Sequence, residues 1–171
     1  RAPRDPLLRY EIALAYGNYG DGGVVPENLS AALEQLDAAI AIQPFSSALI
    51  LKAALIGGWR GDLPAMRAVL DQQDKLPLAE RSEDRSVCVA MWAGLIEHRP
   101  DRVEGAAALT ARNYFDDFIM PLRPKAWSLA LAHRLAGKDK LARADWQTAE
   151  AVMSQRLKDD PGNANYQVEL A

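Results

Sequence analysis

Cysteines, aromatic residues and long apolar runs are all scarce in this chain of 171 residues. The single cysteine, Cys88, excludes an intrachain disulfide and any zinc site built from several cysteines. No apolar run approaches the roughly 20 residues that a membrane-spanning helix needs, and no signal-peptide pattern opens the chain. We therefore expect a cytoplasmic domain without membrane insertion. The alternative is a periplasmic domain of a membrane-anchored signalling protein.

A strong excess of charge is also missing from the chain. The net charge is −3 and the isoelectric point is about 5.4, so no general field attracts nucleic acid. The local cluster of Lys138, Lys140 and Arg143 is typical of a solvated helix face. We therefore expect no nucleic-acid partner.

Alanine, by contrast, is abundant, with 30 residues against an aromatic content of 7%. Alanine favours closely packed helices, whereas sheets favour branched and aromatic side chains. Apolar and polar residues do not alternate with period two over a useful length, so we predict no β-sheet.

Residues 113–124 are expected to form an irregular connector. Apolar residues at helical spacing predict eight helices: 6–19, 26–41, 48–59 (capped by Ser46 or Ser47), 63–73, 86–98, one from Pro100 that includes Leu109, 125–135 and 138–158.

Small and apolar residues recur at similar intervals in the second helix of each expected pair. Ala32, Met66, Ala106 and Ala142 are separated by 34, 40 and 36 residues. We expect them to be buried where paired helices touch. Five residues earlier stand Glu27, Gly61, Asp101 and Gly137, and twelve residues earlier stand Gly20, Ala54, Gly94 and Ala130.

This pattern resembles the tetratricopeptide repeat, a helix–turn–helix unit of 34 residues. The resemblance implies an all-α, right-handed α-solenoid of about four such repeats, spanning residues 1–171 as a single domain. Both ends look like cuts within a longer protein. Five segments further resemble tetratricopeptide domains that follow cyclase, kinase or winged-helix modules in bacterial signalling proteins: residues 41–44, 51–53, 59–63, 124–126 and 132–137. The excess of arginine over lysine, 14 to 6, suits a GC-rich bacterial genome.

No residue pattern in the chain predicts catalysis, a metal or a cofactor. His98 and His133 lie on different expected repeats and lack the spacing of helical metal ligands. Asp116 and Asp117 have no nucleophile or histidine tied to them and are interpreted as turn residues. The glycine-rich residues 20–23 are not followed by the Lys-Ser/Thr pair of a phosphate loop. We expect no enzyme.

The candidate functional site is a protein-binding surface. The resemblance implies a concave groove lined by the first helix of each pair. The alternative is that the side chains expected to line this groove are core residues or are covered by neighbouring segments. Residues 114–120 of the connector are a second candidate, which either packs inward or docks on a partner. The expected groove residues are Leu51, Leu55 and Trp59, then Met91, Leu95 and His98 with Cys88 beside them, then Trp127, Leu131 and Arg134.

The chain is therefore expected to be a non-catalytic protein-interaction or regulatory module of a larger bacterial signalling protein. Its partner would be a protein or peptide segment bound along an exposed apolar strip. The first alternative is a self-association module that forms a homodimer. The second is a small helical enzyme.

Overall fold

The computed structural model describes residues 4–16, 26–115 and 123–162. Helix accounts for 77% of these residues, and helices that follow one another pack in pairs. The expectation of a mostly helical domain is confirmed. In the described residues the helices are α1 (Pro6–Tyr16), α2 (Pro26–Ile42), α3 (Ser46–Leu55), α4 (Leu63–Gln73), α5 (Leu78–Arg81), α6 (Asp84–Ile96), α7 (Pro100–Ala107), α8 (Lys125–Leu135) and α9 (Asp139–Asp159). A π-helical turn (Ile56–Arg60) and the strands β1 (Tyr114–Phe115) and β2 (Arg123–Pro124) complete them.

The chain divides into two compact units, Arg1–Arg81 and Ser82–Ala171. In the first unit, α1 packs on α2, and α3 packs on both α2 and α4. Apolar residues occupy nearly every position of α3, so it can be buried on all sides. Leu49, Ile50, Leu51 and Leu55 are accordingly at most 1% exposed.

The two ends of α3 differ from expectation. Neither Ser46 nor Ser47 caps it, because the helix already begins at Ser46 after an extended Phe45. The Ser46 N–H donates instead to Glu80 Oε2 at 3.2 Å, so a carboxylate from α5 satisfies a free N–H of the first turn. The helix also ends at Leu55 rather than 59, where the π-helical turn takes over. The other helix ends that the structure describes lie within two residues of the expected positions.

The second unit is built from the pairs α6–α7 and α8–α9, and α7 also packs on α8. Alanines at the helix contacts let the backbones approach closely. The expected burial of the recurring small residues is confirmed, at 7% exposed for Ala106 and 4% for Ala142, and likewise at 0% for Ala32 and Met66 in the first unit. The main core cluster of this unit contains Val87, Cys88, Met91, Val103, Ala106, Ala107, Phe115 and Ala132.

The turn between α6 and α7 is formed by a residue that the sequence pattern did not indicate. His98 has a φ of 54°, in the left-handed region, as Gly137 does at 70° between α8 and α9. In both turns the next residue donates to a carbonyl five residues back, Arg99 N–H to Gly94 O and Lys138 N–H to His133 O, each at 2.8 Å. Asp101 lies in the first turn of α7, which begins at Pro100 as expected.

The expectation of no β-sheet is wrong at one place. β1 and β2 pair antiparallel, with Tyr114 opposite Pro124 and Phe115 opposite Arg123. Strands of two residues are too short to show an alternating pattern. Tyr114 and Phe115 are 3% and 4% exposed, so this part of the connector packs inward. Residues 116–120, including Asp116 and Asp117, and glycines 20–23 lie outside the described residues.

Candidate interaction surface

The nine expected groove residues lie in very different environments. Leu51 and Leu55 are core residues of the first unit, at 1% and 0% exposed. Met91 is buried in the core cluster of the second unit, and Leu95 packs against that cluster. These four side chains stabilise their own units and leave little surface for a partner. Trp59, His98 and Arg134 are exposed, and Trp127 and Leu131 are partly exposed.

Only the residues expected from α8 share one partly exposed face of a helix. Trp127, Leu131 and Arg134 are four and then three residues apart, the spacing that places side chains along one side of a helix. Leu135, which the sequence pattern did not indicate, follows Arg134 directly, lies four residues after Leu131 and is 48% exposed. We call Trp127, Ser128, Leu131, Arg134 and Leu135 the α8 outer face.

The opposite side of α8 explains why this face points outward. Ala126, Ala130 and Ala132 are at most 8% exposed, and Leu129 packs against the core cluster that contains Met91. Trp127 and Leu131 each lie two residues from Leu129, which turns them to another side of the helix. The structure therefore separates Trp127 from Met91 and Leu95 rather than placing all three in one strip.

Two contacts fix the indole of Trp127 in place. The Arg123 guanidinium lies 3.9 Å above the Trp127 ring, which is a cation–π contact. The Trp146 ring of α9 meets it edge-on, with ring centres 6.0 Å apart. Strand β2 ends at Pro124, directly before α8, and so carries Arg123 to this position. A large aromatic side chain is thereby held at the surface in one orientation.

Lys125 fixes the position at which α8 begins. Its Nζ donates to Thr110 O at 2.8 Å and to Ala107 O at 3.3 Å, so an ammonium group neutralises the carboxyl end of α7. Its backbone N–H donates to Asn113 O at 2.9 Å. The start of the outer face is thus anchored to the preceding helix.

A cluster of charged side chains joins α7, α8 and α9 at the other end of α8. His133 Nδ1 lies 2.5 Å from Asp145 Oδ2, and its Nε2 lies 3.3 Å from Glu104 Oε1. Lys138 Nζ donates to Glu104 Oε1 at 2.7 Å, and this bond and charge hold the pKa of the Glu104 carboxyl below its ordinary value of 4.5. His133 therefore lies at a contact between helices.

Basic side chains predominate around α8. From Arg123 to Lys138 the sequence contains four lysines or arginines, one histidine and no aspartate or glutamate. Lys138 is paired with Glu104, whereas Arg134, Lys140 and Arg143 are exposed and form no ion pair with other residues in the described ranges. A chain of net charge −3 therefore carries a local positive surface beside its apolar row.

A shallow cavity lies along α9, on the side of the unit where Arg156 stacks 4.1 Å over the Tyr114 ring. Its volume is 320 Å³, at the lower end of the range for small-molecule pockets. It is lined by Asn113, Thr148, Ala151, Val152, Gln155, Arg156 and Asp159. Arg156 and Asp159 carry opposite charges. The residues that line the cavity include no histidine or cysteine for nucleophilic chemistry.

Metal-binding clusters and membrane-spanning helices are both absent from residues 4–16, 26–115 and 123–162. Within them, no three histidine, cysteine, aspartate or glutamate side chains converge to hold a metal ion. No helix there is long and apolar enough to cross a membrane. Cys88 is buried in the core cluster, where it packs as a small apolar residue.

Comparison with known proteins does not assign a family. No protein-family model matches the chain, and no curated protein or solved structure matches it. The structure supports a domain of helices packed in sequential pairs. Its function has to be argued from its own residues.

Proposed function

We propose that the chain is a non-catalytic protein-interaction module of a larger signalling protein, built from tetratricopeptide-like helix pairs, and that the α8 outer face contacts the partner. The observation that carries this proposal is a row of apolar side chains that remain at least partly exposed along one side of α8. Three side chains of the row, Trp127, Leu131 and Leu135, follow one another at intervals of four residues. Rows of this kind mark interaction sites when they are contiguous.

The immobilised tryptophan adds a second reason. Aromatic residues held rigidly at a surface lose little conformational freedom on binding, and they contribute most of the energy at protein interfaces. Trp127 meets this description, because Arg123 and Trp146 both restrain its ring. A partner would therefore find its main anchor already in position.

Selection from a random peptide library tests this proposal. The domain is immobilised, and enriched peptides are measured against wild type, Leu131→Asp and Leu78→Asp. We expect Leu131→Asp to weaken binding by about tenfold or more, because a charge replaces a central apolar contact. Leu78 is 58% exposed in the first unit, so Leu78→Asp is the matched control and should leave binding unchanged.

Circular dichroism and thermal unfolding of both variants confirm that each remains folded. Peptides that bind wild type and Leu131→Asp equally well would contradict the proposal. So would a library from which no peptide is enriched by the wild-type domain.

A further inference from the structure

We infer that the partner of the α8 outer face is an amphipathic helix with acidic residues flanking its apolar stripe. This inference rests on the proposed function and adds the chemistry of the partner. It draws on the charge around the face, the spacing of its apolar residues and the fixed position of its tryptophan. Each of these observations favours one property of the partner.

The charge of the face favours an acidic partner. Residues 123–138 contain no carboxylate side chain, although the chain as a whole has more acidic than basic residues. Arg134 is exposed within the face and forms no ion pair with the other described residues. At the start of α9, Lys140 and Arg143 are exposed and basic, and Asp139 is the one carboxylate between residues 123 and 143. A basic partner would meet like charge here, which disfavours both encounter and docking.

The spacing of the apolar row matches that of a partner helix. Trp127, Leu131 and Leu135 span eight residues, which is about 12 Å of α-helix. An amphipathic partner helix presents anchors at i, i+3 or i+4 and i+7 over the same length. The small Ser128 lies between the large side chains and leaves room for one of these anchors.

The fixed tryptophan argues against a lipid surface. Insertion into a bilayer interface requires side chains that protrude into the acyl boundary. Trp127 is only partly exposed and is restrained by Arg123 over its ring and by Trp146, which meets it edge-on, and Leu135 alone in the row is about half exposed. A row of partly exposed side chains with a basic edge matches the side of a helix better than the interior of a membrane.

Three synthetic peptides of about 16 residues test the inference, since this length gives more than two helical turns on either side of the centre. The first carries leucines at i, i+4, i+7 and i+11 with glutamates beside them. The second replaces every glutamate by lysine. The third keeps the composition of the first but scrambles the leucine positions.

Binding to the 171-residue chain is measured by fluorescence anisotropy at low and moderate salt. We expect the acidic amphipathic peptide to bind about tenfold or more tightly than the other two, with affinity falling as salt is raised. Arg134→Glu should weaken the acidic peptide several-fold and strengthen the lysine peptide. Lys75→Glu, at an exposed position of the first unit, is the control and should change neither affinity.

The possible failures identify which idea is wrong. Equal binding of the acidic and basic peptides, both lost in Leu131→Asp, would overturn the acidic partner but leave the proposed function standing. Binding of the acidic peptide that is unaffected by Leu131→Asp would overturn the inference and also the assignment of the face. A dimer in light scattering that Leu131→Asp dissociates, or binding to anionic vesicles without binding to the acidic peptide, would overturn it in favour of a second copy or a lipid surface.

Discussion

Gly94 of α6 lies so close to α7 that a β-carbon added to it would stand 2.8 Å from Val103 Cγ2 and 3.1 Å from the Val103 backbone nitrogen. Real β-carbons essentially never approach another heavy atom at the first of these distances. Val103 is itself fully buried, so neither partner can move aside freely. The contact between the two helices therefore depends on the missing side chain of Gly94.

Gly94→Ala should lower the free energy of unfolding by about 1–3 kcal/mol, because the added methyl group overpacks this contact. Gly105→Ala is the matched control, since nothing lies within 4 Å of a β-carbon at that helical position. The control should instead stabilise the domain by about 0.5–1 kcal/mol, because alanine loses less backbone entropy in a helix. Urea unfolding of both variants measures the difference, and a neutral Gly94→Ala would contradict the close approach.

His98→Gly should stabilise the second unit by about 0.5–1 kcal/mol, because the left-handed conformation costs an ordinary residue about 1–2 kcal/mol that glycine avoids. The exposed imidazole of His98 gives up no buried packing in this change. Gly137→Ala should have the opposite effect, since Gly137 has a φ of 70° and open space around it. Thermal unfolding compares the two, and destabilisation by His98→Gly would show that the side chain matters more than the backbone.

Leucine in place of Ala32, Ala106 or Ala142 should cost about 1–3 kcal/mol each, because the larger side chain must push paired helices apart. All three alanines are at most 7% exposed. Ala144→Leu on the exposed side of α9 is the control and should be close to neutral. Leucine tolerated at all three buried positions, as measured by chemical denaturation, would mean that the helix contacts are loose.

The ion pair between Glu104 and Lys138 predicts a pH dependence of stability. Because the pKa of Glu104 is lowered in the folded state, its contribution is fully present above its ordinary pKa of 4.5 and is lost as the pH falls through the lower folded value. The melting temperature of Glu104→Gln should therefore depend less on pH below about 4.5 than that of wild type. Lys138→Met removes the main cause of the shift and should reduce the pH dependence in the same direction. Parallel curves for wild type and both variants would contradict the prediction.

Much of the helical framework could be predicted from sequence. The bounds of α4 and α8 coincide with expectation, because each has a clear apolar stripe and begins after a turn residue or a proline. What local patterns could not predict was the geometry of the connections. The left-handed turn at His98 has no glycine to indicate it, and the strands β1 and β2 pair across a connector without alternating pattern.

The candidate surface could be predicted only in part, and α3 and α8 show why. Leu51 and Leu55 have the same four-residue spacing as Trp127 and Leu131, so the sequence treats the two helices alike. In the structure α3 has packed neighbours on more than one side and becomes core, whereas one side of α8 stays open. Exposure depends on what packs around a helix, and periodicity along one helix does not contain that information.

The three hydrogen bonds of Lys125 join the start of α8 directly to the end of α7 and to Asn113. The segment between Asn113 and Lys125 is closed at its base by the backbone bond between these residues, and the ammonium group holds the same point against the end of α7. The position of α8 therefore depends on the bonds that its first residue makes with Ala107, Thr110 and Asn113.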